Sequence, residues 1–182
     1  MLFIAAIVIG VLVGYLRGGR ISRLASLRLR LLALIVVAIL IQILIFPLFG
    51  ERALFTYATT FLHLLSYGLV FLFLALNYRL PPIVLIGSGA ILNLLPIAFN
   101  GGYMPSSQVA LSRAGGAEIA ARLVNEGQVG NVVLMSDQTR LNILGDLLYL
   151  PEQVPLAAAF SVGDLVIALG IAWLIARGMR RE

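Results

Sequence analysis

The sequence predicts an all-α membrane protein, with five transmembrane helices and a long, partly helical external loop before the last helix. Three observations carry this. Hydrophobic residues make up 61% of the 182 and charged residues 12%, a balance far from that of a soluble domain. Five segments are apolar over a length that approaches or reaches a bilayer crossing. The arginines are divided unevenly among the connections between those segments. The whole chain, 1–182, reads as a single integral membrane domain.

The first span, Leu2–Leu16, is short. Its Gly10, Gly14 and Gly18 recur every four residues, a spacing that lets a partner helix approach closely. No basic residue precedes the apolar run and no small-residue cleavage site follows it, so the segment is expected to be retained rather than to act as a secretory signal. The second and third spans, Leu31–Phe49 and Ala53–Leu76, carry Gln42 and His63. The fourth, Ile83–Phe99, has Gly87 and Gly89 for close packing, with Asn93 three residues before Pro96, which predicts a bend. The fifth is Leu156–Ala176.

Arg17, Arg20, Arg23, Arg28, Arg30, Arg79, Arg177, Arg180 and Arg181 fall on one side of this arrangement; Arg52, Arg113, Arg122 and Arg140 fall on the other. Positive residues mark the cytoplasmic face, so the amino end is expected outside and the carboxyl end inside a plasma membrane. Tyr15 and Trp173 then sit near the inner interface, and Phe49, Tyr57 and Tyr103 near the outer one.

The net charge of +5 does not point to nucleic acid, because the arginines flank membrane segments instead of covering a soluble face. The partner expected is the lipid bilayer. There is no cysteine, so no disulfide and no thiolate metal site is possible. No nucleotide-binding loop or dinucleotide fingerprint is present, and no cofactor or metal is expected. Gln42, His63 and Asn93 read first as groups that bond a neighbouring helix. Ligation by His63 is the lesser reading, because no second histidine exists to complete such a site.

The external loop runs from Asn100 to Pro155. It opens on the turn sequence Asn100-Gly101-Gly102-Tyr103-Met104-Pro105. Ala117–Asn125 predicts an amphipathic helix with Glu118 and Arg122 paired one turn apart and Gly127 as terminator. Val129–Met135 predicts extended chain. Asp137 is expected to cap a second helix whose Leu141, Leu144 and Leu148 share a face and which carries Asp146.

Two acids stand out against apolar surroundings, Asp146 and Asp164. Read as part of a continuous last helix, Asp164 lies roughly 10 Å below the membrane surface. A carboxylate there costs at least a few kcal/mol unless it is partnered, which marks it as a residue kept for a task. Both acids fall at the outer leaflet. If they meet they share a proton, and one can activate water while the other donates to a scissile carbonyl. Asn93, Asn100, Gly101, Gly102, Tyr103 and Ser161 are the candidate ligand-binding residues beside them.

Asn100-Gly101-Gly102-Tyr103-Met104-Pro105, Leu144-Gly145-Asp146 and Phe160-Ser161-Val162-Gly163-Asp164 together resemble a family of small bacterial polytopic membrane proteins of unknown function. That resemblance spans most of the chain and implies a bacterial plasma-membrane protein with no assigned activity. Locally, Phe160 to Asp164 with Asp146 eighteen residues upstream, and Gly130-Asn131 with Asp137, resemble the catalytic region of lipoprotein signal peptidase. This implies Asp146 and Asp164 as catalytic residues. Here Ser161 replaces that family's asparagine, Gly163 its alanine, and no arginine follows Asp137. Two other classes stay open: a binder of a lipid, quinone or other small apolar ligand, and an accessory subunit of a membrane complex.

Overall fold

The computed structural model describes residues 2–45 and 59–180. The expectations placed on Phe49, Arg52, Tyr57 and Arg181 lie outside the described residues. The chain is mostly helical, but it is not all-α. Four helices stand where the first four spans are expected: α1 (Leu2–Leu16), α2 (Ala33–Ile45), α3 (Thr59–Leu76) and α4 (Pro81–Phe99). Of all the described helices, α4 alone is long and apolar enough to cross a membrane on its own. The structure therefore supports one such helix instead of five. Helices α1 and α2 and the stretch Thr60–Leu76 are apolar but shorter.

Local chemistry explains several boundaries. Helix α4 begins on Pro81 and Pro82, where the missing N–H groups cost nothing. Helix α1 closes with Gly18 in the left-handed region (φ 74°) and a bond from Gly19 N to Gly14 O of 2.9 Å, the glycine-terminated end that frees a helix of its last carbonyls. Gly18 thus ends the helix and does not continue the packing stripe.

The segment Leu156–Ala176 divides. Ala158–Phe160 is a strand, and the last helix runs only over Val162–Gly178. The reason is at Ser161, whose hydroxyl accepts from Asp164 N while the Asp164 carboxylate accepts from Ser161 N, a reciprocal capping box. Asp164 therefore lies in the first turn of its helix, at the end of the bundle, and not deep in a continuous span.

This last helix, labelled α7 below, packs between α1 and α4, while α2 packs on α3. Small residues set the closest approaches. Gly10 faces the backbone of Ala172, Gly89 faces Gly163 and Ile167, and Gly170 faces Ile86 and Pro82. Phe73, Leu74, Ile83 and Ala90 form a buried cluster, covered by Leu34 and Ile35 of α2 and by Ile167 and Leu174 of α7. The outward sides of α1 and α2 stay apolar: Ile4, Val8, Leu12, Val36, Ile39 and Leu40 are each at least half exposed.

Residues 100–161 form a small α/β layer over one end of the helices. The strand β1 (Met104–Ser106) is followed by α5 (Gln108–Arg113) and α6 (Ala117–Glu126). Helix α6 ends at Gly127, in the left-handed conformation at φ 74°, as the sequence implies. Arg122 pairs with Glu126 at 3.0 Å, one turn on. The expected extended stretch is β2 (Gln128–Val129) and β3 (Val132–Leu134), and β3 lies between β2, antiparallel, and β1, parallel.

The second loop helix expected after Asp137 is absent. The chain makes a 3-10 turn over Asn142–Leu144 and then β4 (Leu148–Leu150), which pairs antiparallel with β5 (Ala158–Phe160). Long-range pairing overrides the local leucine periodicity. Asp146 N donates to Pro105 O at 2.9 Å and Ser107 N donates to Asp146 O at 3.1 Å, which draws Asp146 onto the edge of β1. Gly145 lies against the Pro105 carbonyl, where no side chain fits. Leu141 takes φ 58°, incompatible with a helix running through it.

Candidate functional site

The junction of α4 and α7 begins with a buried asparagine. Asn93 Nδ2 donates to Asp164 Oδ1 at 2.7 Å. Ser161 Oγ donates to Asn93 Oδ1, also at 2.7 Å. Ser161 Oγ accepts from Asp164 N at 2.9 Å, and Ser161 N donates to Asp164 Oδ2 at 3.2 Å. The four bonds close a ring through Asn93, Ser161 and Asp164, and both carboxylate oxygens are occupied. Gly163 packs against the Asn93 side chain, a position that any larger residue would block. No arginine partners Asp164 among the described residues.

Asp146 approaches the same place from the loop. It and Asp164 both line one cavity of about 540 Å³, which extends between the helices. Most of the cavity wall is apolar, from Phe3 of α1, Ile35 and Ile39 of α2, Val70 of α3, Ile86 of α4 and Ile167 of α7. The polar part consists of Gln42, His63, Tyr67, Asn93, Asn131 and the two acids. Burial pushes the Asp146 carboxyl up to about 7, with the Asp164 charge adding to the rise and the nearby Ser106 hydroxyl opposing it. That hydroxyl is fully buried, and its approach to Asp146 falls short of a well-formed hydrogen bond.

The turn Asn100–Gly102 fastens this layer to the helices. Asn100 Nδ2 donates to Pro96 O at 2.7 Å and to Arg140 O at 2.8 Å, and Asn100 Oδ1 accepts from Arg140 N at 2.8 Å. Thr60 Oγ1 donates to Gly101 O, and His63 Nδ1 lies 2.7 Å from Gly102 O, which requires the proton on Nδ1. His63 therefore bonds the loop. Gln42 does bond a neighbouring helix, donating to Ser66 Oγ of α3 at 3.1 Å.

Of the residues singled out in the sequence, Asn93, Asp146 and Asp164 come together on the cavity. Ser161 sits behind them in the ring, while Asn100, Gly101 and Gly102 hold the loop. Tyr103 is half-buried in that turn. Asn131, singled out only within the peptidase resemblance, also lines the cavity, while sequence reasoning missed Tyr67 and Ser106. Tyr67 had a signal, one turn after His63 on the same face, with ring centroids 5.5 Å apart. Ser106 had none, since its position depends on strand pairing. Among the described residues no three metal-ligating side chains gather.

Residues 26–176 match the model of a family described as a family of unknown function, DUF5317. No curated protein and no solved structure matches the chain. The family match supplies no activity and says nothing of the local likeness to a peptidase.

Proposed function

We propose a ligand-binding role in the membrane for this chain, which belongs to the family of unknown function DUF5317. The five apolar helices are embedded together, with the α/β layer on the outer face and the carboxyl end in the cytoplasm. Support comes from the length of α4, from the apolar outward sides of α1 and α2, and from the sorting of arginines. Helices shorter than a full crossing are accommodated by local thinning of the bilayer and by packing on longer neighbours.

The cavity is the observation that carries the reading. Its volume of about 540 Å³ and its largely apolar wall with a few convergent polar groups suit a small amphiphile, such as a lipid or quinone. The apolar body would lie between α2, α3 and α4, and a hydrogen-bonding head would meet Asp146. Asp164 is committed to the ring with Asn93 and Ser161, which favours a structural use for it.

Hydrolysis by the two aspartates is the second reading. It is favoured by one observation: Asp146 shares a cavity with Asp164 and titrates near neutrality, as a general acid should.

The test is to purify the full chain in detergent and identify small molecules that co-purify. They should be retained by wild type and lost from Ile39→Trp, which fills the half-exposed mouth of the cavity. A protein that carries nothing and gains no thermal stability from any added amphiphile is not a binder. Accumulation of uncleaved membrane precursors with Asp146→Asn would decide for hydrolysis instead.

A further inference from the structure

The ends of α1 and α7 opposite the α/β layer are locked together. Arg20 N donates to Met179 O at 2.9 Å, Gly14 faces the Met179 side chain, and Gly19 is wedged between the Gly14 carbonyl and Met179, with no room for a side chain. This fixes Arg17, at the end of α1, beside Arg177 and Arg180, at the end of α7. Between them is a cleft of about 340 Å³, lined by these three arginines, Trp173 and Ala176. All three guanidinium groups belong to exposed residues, and none is in an ion pair among the described residues.

The described carboxylates are Glu118, Glu126, Asp137, Asp146, Glu152 and Asp164. The nearest in sequence, Asp164, is thirteen residues up the same helix from Arg177, roughly 20 Å away along its axis. Among the described residues, the cleft therefore gathers three cations on a fixed backbone without a neutralising acid at hand. Single arginines at helix ends are explained by the dipole alone. Three converging on one cleft, with an indole at the edge, are not.

We infer that this cleft holds the phosphodiester headgroup of an anionic phospholipid. Guanidinium forks match phosphate oxygens, basic clefts between helices on the cytoplasmic side suit lipid headgroups, and Trp173, 44% exposed, is placed to lie at the headgroup level. The inference shares with the proposed function only the membrane setting, and it is independent of the ligand cavity.

The experiment uses the full chain in neutral detergent, titrated separately with phosphatidylglycerol, phosphatidylcholine and inorganic phosphate. Thermal midpoint and native mass spectrometry are read together. Phosphatidylglycerol should raise the midpoint and stay bound in the gas phase, while the other two should do neither. Arg17→Gln with Arg177→Gln should weaken phosphatidylglycerol roughly tenfold or more, and Arg140→Gln at the opposite end should not. If the double variant does not fold, Arg180→Gln alone should weaken binding several-fold. Equal effects of the two lipids, or full affinity in the arginine variants, would overturn the site. An equal effect of inorganic phosphate would overturn the lipid assignment. Whether the protein needs detergent for extraction reports the membrane setting separately.

Discussion

Asn93 and Asp164 join α4 to α7 through a 2.7 Å bond from the Asn93 amide to the Asp164 carboxylate, with Ser161 closing the ring behind them. Asn93 and Ser161 are buried, so the ring has little access to water that could replace a lost partner. Leaving a buried donor or acceptor unpaired costs about 1–3 kcal/mol each. Asn93→Leu, which strands both the Ser161 hydroxyl and the Asp164 carboxylate, should lower stability by about 2–4 kcal/mol. Thermal unfolding in detergent measures it. A change within about 0.5 kcal/mol would mean that the ring contributes nothing to the fold.

The same ring sets an expectation for Asp164 itself. Asp164→Asn keeps the shape but loses the charged acceptor of the capping box, a loss of about 1 kcal/mol. A catalytic Asp164 predicts the opposite pattern, with stability unchanged and activity gone. Measuring Asp164→Asn beside Asn93→Leu separates the two, because a structural Asp164 makes both variants less stable.

Asp146 predicts a pH dependence. Its carboxyl is raised from an ordinary 3.8 to about 7, by burial first and by Asp164 second. The folded state thus holds a proton that the unfolded chain releases above pH ~4. This contribution is fully present below that point and is lost as pH rises through about 7. Stability should therefore fall between pH 4 and 7 by on the order of 4 kcal/mol from this group. Asp146→Asn, uncharged throughout, should flatten that part of the profile. A wild-type profile that falls no more steeply over the interval than that of Asp146→Asn would show that Asp146 is charged in the folded protein.

What the sequence disclosed here was mostly local. Two lone acids among apolar residues, and Asn93 inside a helix, mark the cavity without any structure, because burying such groups is expensive enough to single them out. The capping box was equally open to reading: Ser161 and Asp164 at the required spacing before an apolar run. Weighed as part of one continuous apolar segment, that signal is overlooked and Asp164 is placed too deep. The loop failed for another reason. Leu141, Leu144 and Leu148 keep helical spacing, but Asp146 pairs with Ser106, forty residues away, and β1 with β3 across α5 and α6. No local pattern reports a partner at that distance.

The glycines of α1 should differ sharply in what they tolerate. At Gly10 a methyl group would meet the Ala172 backbone at 2.8 Å, which cannot yield without moving α7. At Gly14 it would meet only the Met179 side chain, which can turn aside in part. Gly87, with Leu74 at 3.7 Å, has room. Gly10→Ala should therefore destabilise by about 1–3 kcal/mol through overpacking. Gly14→Ala should cost less, and Gly87→Ala should be neutral or slightly stabilising through its better helix propensity. Equal losses at Gly10 and Gly87 would mean that α1 does not dock on α7 as described.

A topology is predicted from where the fold puts its charges. Arg17, Arg20, Arg177 and Arg180 meet at the locked ends of α1 and α7. Arg28, Arg30 and Arg79 meet beside Asn77, whose side chain bonds the Arg30 backbone in both directions. Arg113, Arg122 and Arg140 belong to the layer that includes Asp146. With this many positive residues on one side, insertion should leave that side in the cytoplasm. A reporter fused after the carboxyl end should be cytoplasmic, and one inserted at Gly115, in the exposed turn between α5 and α6, should be external. Reversal of both would put Asp146 and its cavity at the inner leaflet and end any role at the outer one. An external carboxyl terminus with an external Gly115 would mean an even number of crossings between the two, and α7 would then lie beside the bilayer instead of through it.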